Sequence, residues 1–357
     1  MNFQPKCTAT AVGSMPQGDP ETALKVIFAS IPTAPAWPQL PKRNLREQME
    51  IQYSEGLPRI VIDEEKQRMF FDTSGDYSEE LAAFYEGYMA SEEAGDHSAG
   101  AISANFAAGI PVFEESLKSA GKAFPIVKGQ TTGPISFALT ITDENKRAIF
   151  YNEEFVDTVV KGLAMKSRWQ VQKFKPYAEN VICCIDEPIL AGFGSSTYVS
   201  VQRDDVVAKL NEVVEAIRAE GGIPAIHCCG NTEWSIPVDA GADIVNFDAF
   251  EFGETVSLYP EHMKRHLVEN KGALAWGVVP TNAKVREQTV DTLVEHFERV
   301  TDTLSKKAGI DKQVIAEQAL ITPSCGTGSM QVADAERVFE LLGETSAALK
   351  EKYGFGG

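Results

Sequence analysis

His227 and Cys229 stand two residues apart at the end of an apolar run, Ile223-Pro-Ala-Ile-His-Cys-Cys-Gly-Asn231. Side chains two apart on a β-strand point to one face, so a strand here presents an imidazole and a thiol from the same side. Both are preferred ligand types of zinc, and a catalytic zinc keeps one position open beyond its protein ligands. The competing reading of this fragment alone is a partly buried histidine beside two small apolar cysteines. A second fragment, Ala319-Leu-Ile-Thr-Pro-Ser-Cys-Gly-Thr-Gly328, again runs apolar and then offers Cys325 before glycines. Two strand ends therefore supply soft ligands for one metal.

The elements that must position these residues are a series of short apolar runs, at 7–16, 58–63, 123–130, 180–186, 223–229, 243–248, 273–280 and 318–323. Helical periodicity at 78–93, 143–175, 203–219, 284–307 and 333–351 separates or follows most of them. Strands that read as continuous apolar runs between helices suit a parallel sheet buried on both faces. The expectation is an α/β chain: a (β/α)8 TIM barrel spanning 1–357 as a single domain, with insertions beyond the usual ~250 residues. A doubly wound open sheet is the alternative. The proline-rich stretch carrying Pro32, Pro35, Pro38 and Pro41 reads as an excursion over the surface. In either fold the carboxyl ends of the strands converge, so Ser14, Thr132, Asp186, His227, Cys229, Asp248 and Cys325 can share one site.

Composition narrows the partners. A formal net charge of −18 over 357 residues excludes the basic footprint that nucleic acid or an anionic membrane surface needs. There is no run near the ~18 apolar residues of a membrane span, and Met1 to Met15 lacks a signal-peptide pattern. A cytoplasmic location is expected. The six cysteines are too few for a disulfide scaffold. Cys7, Cys183, Cys184 and Cys228 read as small buried hydrophobes, with Cys228 turned away from its neighbours. Leu81, Phe84, Tyr85 and Tyr88 read as the packed face of an amphipathic helix, and His97, His262, His266 and His296 as exposed.

Taken in order, Thr10-Ala-Val-Gly-Ser-Met-Pro16, Thr132-Gly-Pro-Ile135, Ile185-Asp-Glu-Pro188, His227-Cys-Cys-Gly-Asn231 and Pro323-Ser-Cys-Gly326 resemble the catalytic domain of cobalamin-independent methionine synthase. The His-x-Cys-Gly-Asn form is also similar to corrinoid-dependent thiol methyltransferases of the uroporphyrinogen decarboxylase superfamily. The resemblance covers nearly the whole chain and fits a form with the catalytic barrel alone. It implies a zinc enzyme in which His227, Cys229 and Cys325 are ligands. A carboxylate ligand is also implied, for which Asp248 is the best match and Glu251 the reserve. It further implies that Asp186 receives the ammonium of homocysteine while the Gly13-Ser14 turn binds its carboxylate. A second acidic contact falls on Asp76 or Glu79. The implied reaction is transfer of a methyl group to the zinc-bound thiolate of homocysteine, giving methionine. Alternatives are methylation of another thiol such as coenzyme M, or a metal-free decarboxylase-like activity.

The methyl donor is where this chain departs from the pattern. Folate-using members place a tryptophan after the Gly-Pro turn, and here Thr140 stands at that offset with Phe137 three residues earlier. The histidine acid expected after Trp276-Gly-Val-Val279 is replaced by Asn282 or its neighbours. A cobalt leaving group departs without a proton, so the expected donor is a methylated corrinoid, presented by a corrinoid protein; methyltetrahydrofolate is the alternative.

Overall fold

The computed structural model describes residues 3–198 and 200–356. Its strands are β1 (Thr8–Ala9), β2 (Ile60–Asp63), β3 (Arg68–Phe71), β4 (Phe124–Thr132), β5 (Thr142–Asp143), β6 (Ala178–Asp186), β7 (Ile223–Cys228), β8 (Ile244–Phe247), β9 (Ala273–Val279) and β10 (Ala319–Pro323). Seven of them form one parallel sheet in the order β1-β10-β9-β8-β7-β6-β4. Both faces of this sheet are covered, which is why its strands read as unbroken apolar runs. Alternation divides them: Ile182 and Cys184 on β6, and Ile223 and Ala225 on β7, join an apolar cluster on the inner face. Val181, Cys183, Ile185, Ile226 and Cys228 point the other way, into the larger core that receives the helices. The sheet is thus curled around its own small core.

The helices form where apolar residues recur every three or four positions. In Arg203–Ala219 the buried side chains are Val206, Leu210, Val213, Val214, Ala216 and Ile217, and Asp204 and Asp205 sit in the first turn, where negative charge complements the helix dipole. Val290–Ala308 buries Leu293, Phe297, Val300 and Leu304, starts at a Thr289–Thr292 capping box and stops at Gly309, whose φ is 64°. Trp276 of β9 fills the gap to that helix, with ring centroids 4.8 Å from Phe297 and 5.1 Å from Phe247.

The proline-rich stretch is not a surface excursion. Ala34, Ala36, Trp37 and Leu40 are fully buried. Ile126 and Lys128 of β4 donate to the carbonyls of Thr33 and Pro35, at 3.3 and 2.9 Å, and Trp37 donates back to Lys128 at 3.3 Å. On the other side Gln39 donates to Gly13 at 3.1 Å and Met15 to Gln39 at 2.8 Å. Segment 33–39 therefore bonds to both edges of the curled sheet. Its prolines are tolerated because Trp37 and Gln39 supply the N–H groups that the pairing uses, and Pro35 contributes a carbonyl.

Residues 58–63 are displaced in the opposite sense. Here β2 pairs antiparallel with β3, which pairs with β5, as a separate small sheet. This hairpin stays half exposed, so its alternation reflects one covered face rather than a place in the main sheet. The expected helix 143–175 begins only at Glu153, capped by Asn152, because the Asp143 carboxylate closes a turn over Asn145 and Arg147. Residues 283–287 form a separate 3-10 turn. In the helix Ser78–Ala94 only Leu81 among the four expected residues is buried, the three aromatics being partly covered. His97 and His266 are buried, not exposed: His97 pairs with Glu220 at 2.9 Å, and His266 donates to Ala273 O at 2.9 Å. No helix among the described residues is long and apolar enough to cross a membrane.

Candidate metal centre

The inner-face columns end in the polar residues. On β6 the column Ile182, Cys184 continues to Asp186, and on β7 the column Ile223, Ala225 continues to His227 and, one residue beyond the strand, Cys229. Asp186 and His227 are in register across β6 and β7. Cys325 follows the end of β10 by two residues. These ends converge: a ring nitrogen of His227 and the sulfurs of Cys229 and Cys325 all lie within 4.8 Å of one another. His227 is buried, and neither Nδ1 nor Nε2 has a hydrogen-bond partner. An imidazole left so is costly, by roughly 1–3 kcal/mol per orphaned group. A metal on one nitrogen removes that cost, and a one-nitrogen, two-sulfur donor set suits zinc.

Charges at the site act on one another. Cys229 is held down to about 4 by its neighbours, first Cys325 and next His227. Cys325 is raised in turn, by the Cys229 thiolate and by burial. Burial alone would depress His227, but the neighbouring Cys229 and the charge of Asp186 outweigh burial and raise it. Asp186 is raised by burial, with Lys128 and His227 pulling the other way, and its Oδ1 has no partner. A second orphan stands in register with it, Thr132, whose Oγ1 is buried and unpartnered.

A cavity of about 270 Å³ opens onto these groups, lined by His227, Cys229, Cys325 and Asp186 with Val12, Ser14, Gln39, Pro41 and Met49. Its wall is a clamp between two loops. Thr327 donates N–H and Oγ1–H to Ser14 O at 2.8 and 2.9 Å, and Gly328 N–H donates to Ser14 Oγ at 3.2 Å. The Ser14 hydroxyl accepts that bond and keeps its own proton to donate. Gly326 is required here, since a Cβ would sit 2.0 Å from Ser14 Oγ. Gly326→Ala is therefore expected to cost about 1–3 kcal/mol and to lower zinc occupancy by moving Cys325. Urea denaturation and metal analysis check this, with Gly18→Ala, which meets nothing within 4 Å, as the neutral control.

Other expected residues are placed differently. Asp248 lies outside the three-ligand group: its Oδ1 accepts from Glu251 N at 2.9 Å, capping the helix Ala249–Phe252, and burial lifts its pKa to about 6. Glu251 is paired with Lys284 at 2.6 Å. Asp76 and Glu79 are exposed at the start of Ser78–Ala94, Asp76 being tied to Ser78, and neither lines the cavity. Phe137 is fully buried against Phe71, Thr140 is exposed, and Asn282 is exposed and caps Lys284.

Two contributions escaped sequence reasoning. Gln39, Pro41 and Met49 line the cavity because the proline-rich stretch is buried, and the alternating residues Ala34, Ala36 and Leu40 were the signal for it. Glu187 is the other. Its buried carboxylate accepts from Ile135 N, Ser136 N and Ser136 Oγ at 2.9, 2.8 and 2.7 Å, anchoring the helix Pro134–Thr140 beside β6. Burial pushes its pKa up to about 7 against those donors. The Gly133-Pro134 turn follows from it, since a Cβ on Gly133 would lie 2.1 Å from that carboxylate.

The class defined by this geometry is an α/β fold with a curled parallel sheet and a possible His/Cys/Cys metal centre at the carboxyl ends of its strands. No protein-family model matches the chain, and no curated protein matches its sequence. Among solved structures it is similar to a methyltransferase from Methanosarcina mazei, with a TM-score of 0.57, 14% identity, and coverage of 99% of this chain and 95% of that one. It is also similar to a B12-independent methionine synthase from Shewanella sp. W3-18-1 solved with selenomethionine, with a TM-score of 0.56, 11% identity, and coverage of 97% and 98%. At these identities the likeness is one of fold.

Proposed function

We propose that this chain is a zinc-dependent methyltransferase that methylates homocysteine to methionine, taking the methyl group from a methylated corrinoid. The single observation that supports it best is the buried His227 with both ring nitrogens orphaned beside two cysteine sulfurs at one strand-end face. Structural neighbours that are methyl-transferring enzymes by name point the same way. On this reading residues 1–357 form a single (β/α)8 barrel whose eighth stave is segment 33–39.

His227, Cys229 and Cys325 would hold the metal. Zinc bound there supplies one thing, a lowered thiol pKa that gives a thiolate nucleophile at neutral pH. The protein does the rest. Asp186, half-buried in the cavity lining with a buried, unpartnered Oδ1, pairs with the ammonium of homocysteine. Ser14, with its proton free, donates to the carboxylate. Val12, Met49 and Pro188 cover the chain between them and keep water from the sulfur. Asp248 and Glu251, held by a cap and an ion pair, stand outside the His227, Cys229 and Cys325 set that would hold the zinc. A thiol without an ammonium, such as coenzyme M, has no partner for Asp186.

The donor surface favours a corrinoid. Phe137 is locked in the core and Thr140 is exposed, so neither offers the flat aromatic face on which a pterin stacks. In the transfer a sulfur–carbon bond forms while the cobalt–carbon bond breaks and its electron pair stays on cobalt, so no acid is needed. A corrinoid protein docking over the strand ends is the proposed partner. The test offers the zinc-loaded protein homocysteine or coenzyme M with either methylcobalamin or methyltetrahydrofolate, and measures the methylated thiol. Methionine from methylcobalamin is expected. Efficient turnover with the folate alone overturns the donor, and no methionine from either overturns the function.

A further inference from the structure

Lys128 is a charged residue that the chemistry above does not use. It lies on β4, 3% exposed, with its side chain on the inner face of the curled sheet. Its Cα is in register with Ile182, four residues below Asp186 on β6. That is about 13 Å along the strand, and the extended lysine stem covers roughly half of it. The ammonium ends against the pocket wall, donating to the carbonyl of Val12 at 2.6 Å, directly before the Gly13-Ser14 turn. Among the described residues it has no carboxylate within ion-pair distance. A buried ammonium with one acceptor is expensive and is retained where nearby anions offset it.

We propose that Lys128 is a positioning residue for the acceptor site, supplying the fixed positive charge that lets Asp186 stand ionised beside the metal thiolates while it anchors the Val12–Ser14 turn. This rests on the proposed methyl transfer to homocysteine. The charge count is the reason: Asp186 and two ligand thiolates bring three negative charges, zinc brings two positive ones, and Lys128 brings the sum to zero. The ammonium of homocysteine then meets a carboxylate already balanced from below, rather than one drawn onto the metal. Consistent with this, Lys128 is the strongest charge opposing the effect of burial on Asp186. Its hydrogen bond fixes the carbonyl preceding Gly13, whose φ of 150° already confines that turn.

The test compares homocysteine with 4-mercaptobutanoic acid, the same thiol without its amine, for binding to the zinc-loaded protein by calorimetry. The unsubstituted protein is expected to prefer homocysteine. In Lys128→Met zinc content is unchanged, homocysteine affinity falls by at least about tenfold and the amine-free thiol changes by less than about threefold; Lys128→Arg restores most of the loss. Combined with Asp186→Asn, Lys128→Met adds little further loss. Should Lys128→Met alone not fold, the double variant is expected to fold, because the unbalanced charge is gone. An equal loss for both thiols, additivity with Asp186→Asn, or failure of both the single and double variants to fold overturns the role of Lys128. No preference for homocysteine in the unsubstituted protein overturns the Asp186 assignment on which it rests.

Discussion

Cys229→Ala and Cys325→Ala are each expected to lose zinc and methyl transfer while the sheet stays folded. Structural zinc sites bind with about 10–16 kcal/mol, so one ligand among three protein donors and an exchangeable fourth carries roughly 3–4 kcal/mol. That is a drop in affinity of about 10²–10³-fold, enough to empty the site under dilution. The fold survives because both cysteines lie beyond the ends of β7 and β10 and are only partly buried. The measurement is zinc per chain after gel filtration, beside the far-ultraviolet spectrum and turnover. Cys228→Ala is the control: this neighbour faces the helix-side core and bonds to Gly230 O, so it is expected to keep its metal at a modest loss of stability. Zinc and turnover retained in both ligand variants would show the donor set to be wrong.

Asp186→Asn has the second large effect, and it falls on binding. Truncating one partner of a buried charge pair costs about 2–5 kcal/mol, which raises the KM for homocysteine by roughly 30- to 5,000-fold. Zinc content is expected to hold, because Asp186 is not among the three convergent ligands. The amide keeps the shape and loses the charge, so kcat at saturation falls far less than kcat/KM. Steady-state kinetics over a wide homocysteine range separates the two. An unchanged KM removes Asp186 from the acceptor site.

Much of this site was legible because a strand alternates by two. His227 and Cys229, and the column from Ile182 through Cys184 to Asp186, share the inner face as their spacing requires. The helices whose apolar period is strong, Arg203–Ala219 and Val332–Lys352, lie where their patterns place them. Failures have physical causes. Prolines 35 and 38 hid a buried segment, because helix and strand rules penalise proline without regard to which N–H the neighbours use. Residues 60–63 alternate as a strand does, but alternation says nothing about which sheet recruits it. Asp248 is a helix cap, and a cap and a ligand look alike in sequence, since both are carboxylates at a strand end. His97 and His266 sit in charged surroundings along the chain, yet partners distant in sequence, Glu220 and the Ala273 carbonyl, let them be buried.

The most direct test of the metal-bound thiol is X-ray absorption at the zinc edge, recorded before and after homocysteine is added. The expected spectrum without thiol shows two sulfur neighbours and one nitrogen with a lighter fourth neighbour. With homocysteine a third sulfur is expected at about 2.3 Å, and methionine is expected not to produce it. A zinc shell unchanged by homocysteine, or a protein that takes up no zinc, would contradict thiol activation at His227, Cys229 and Cys325.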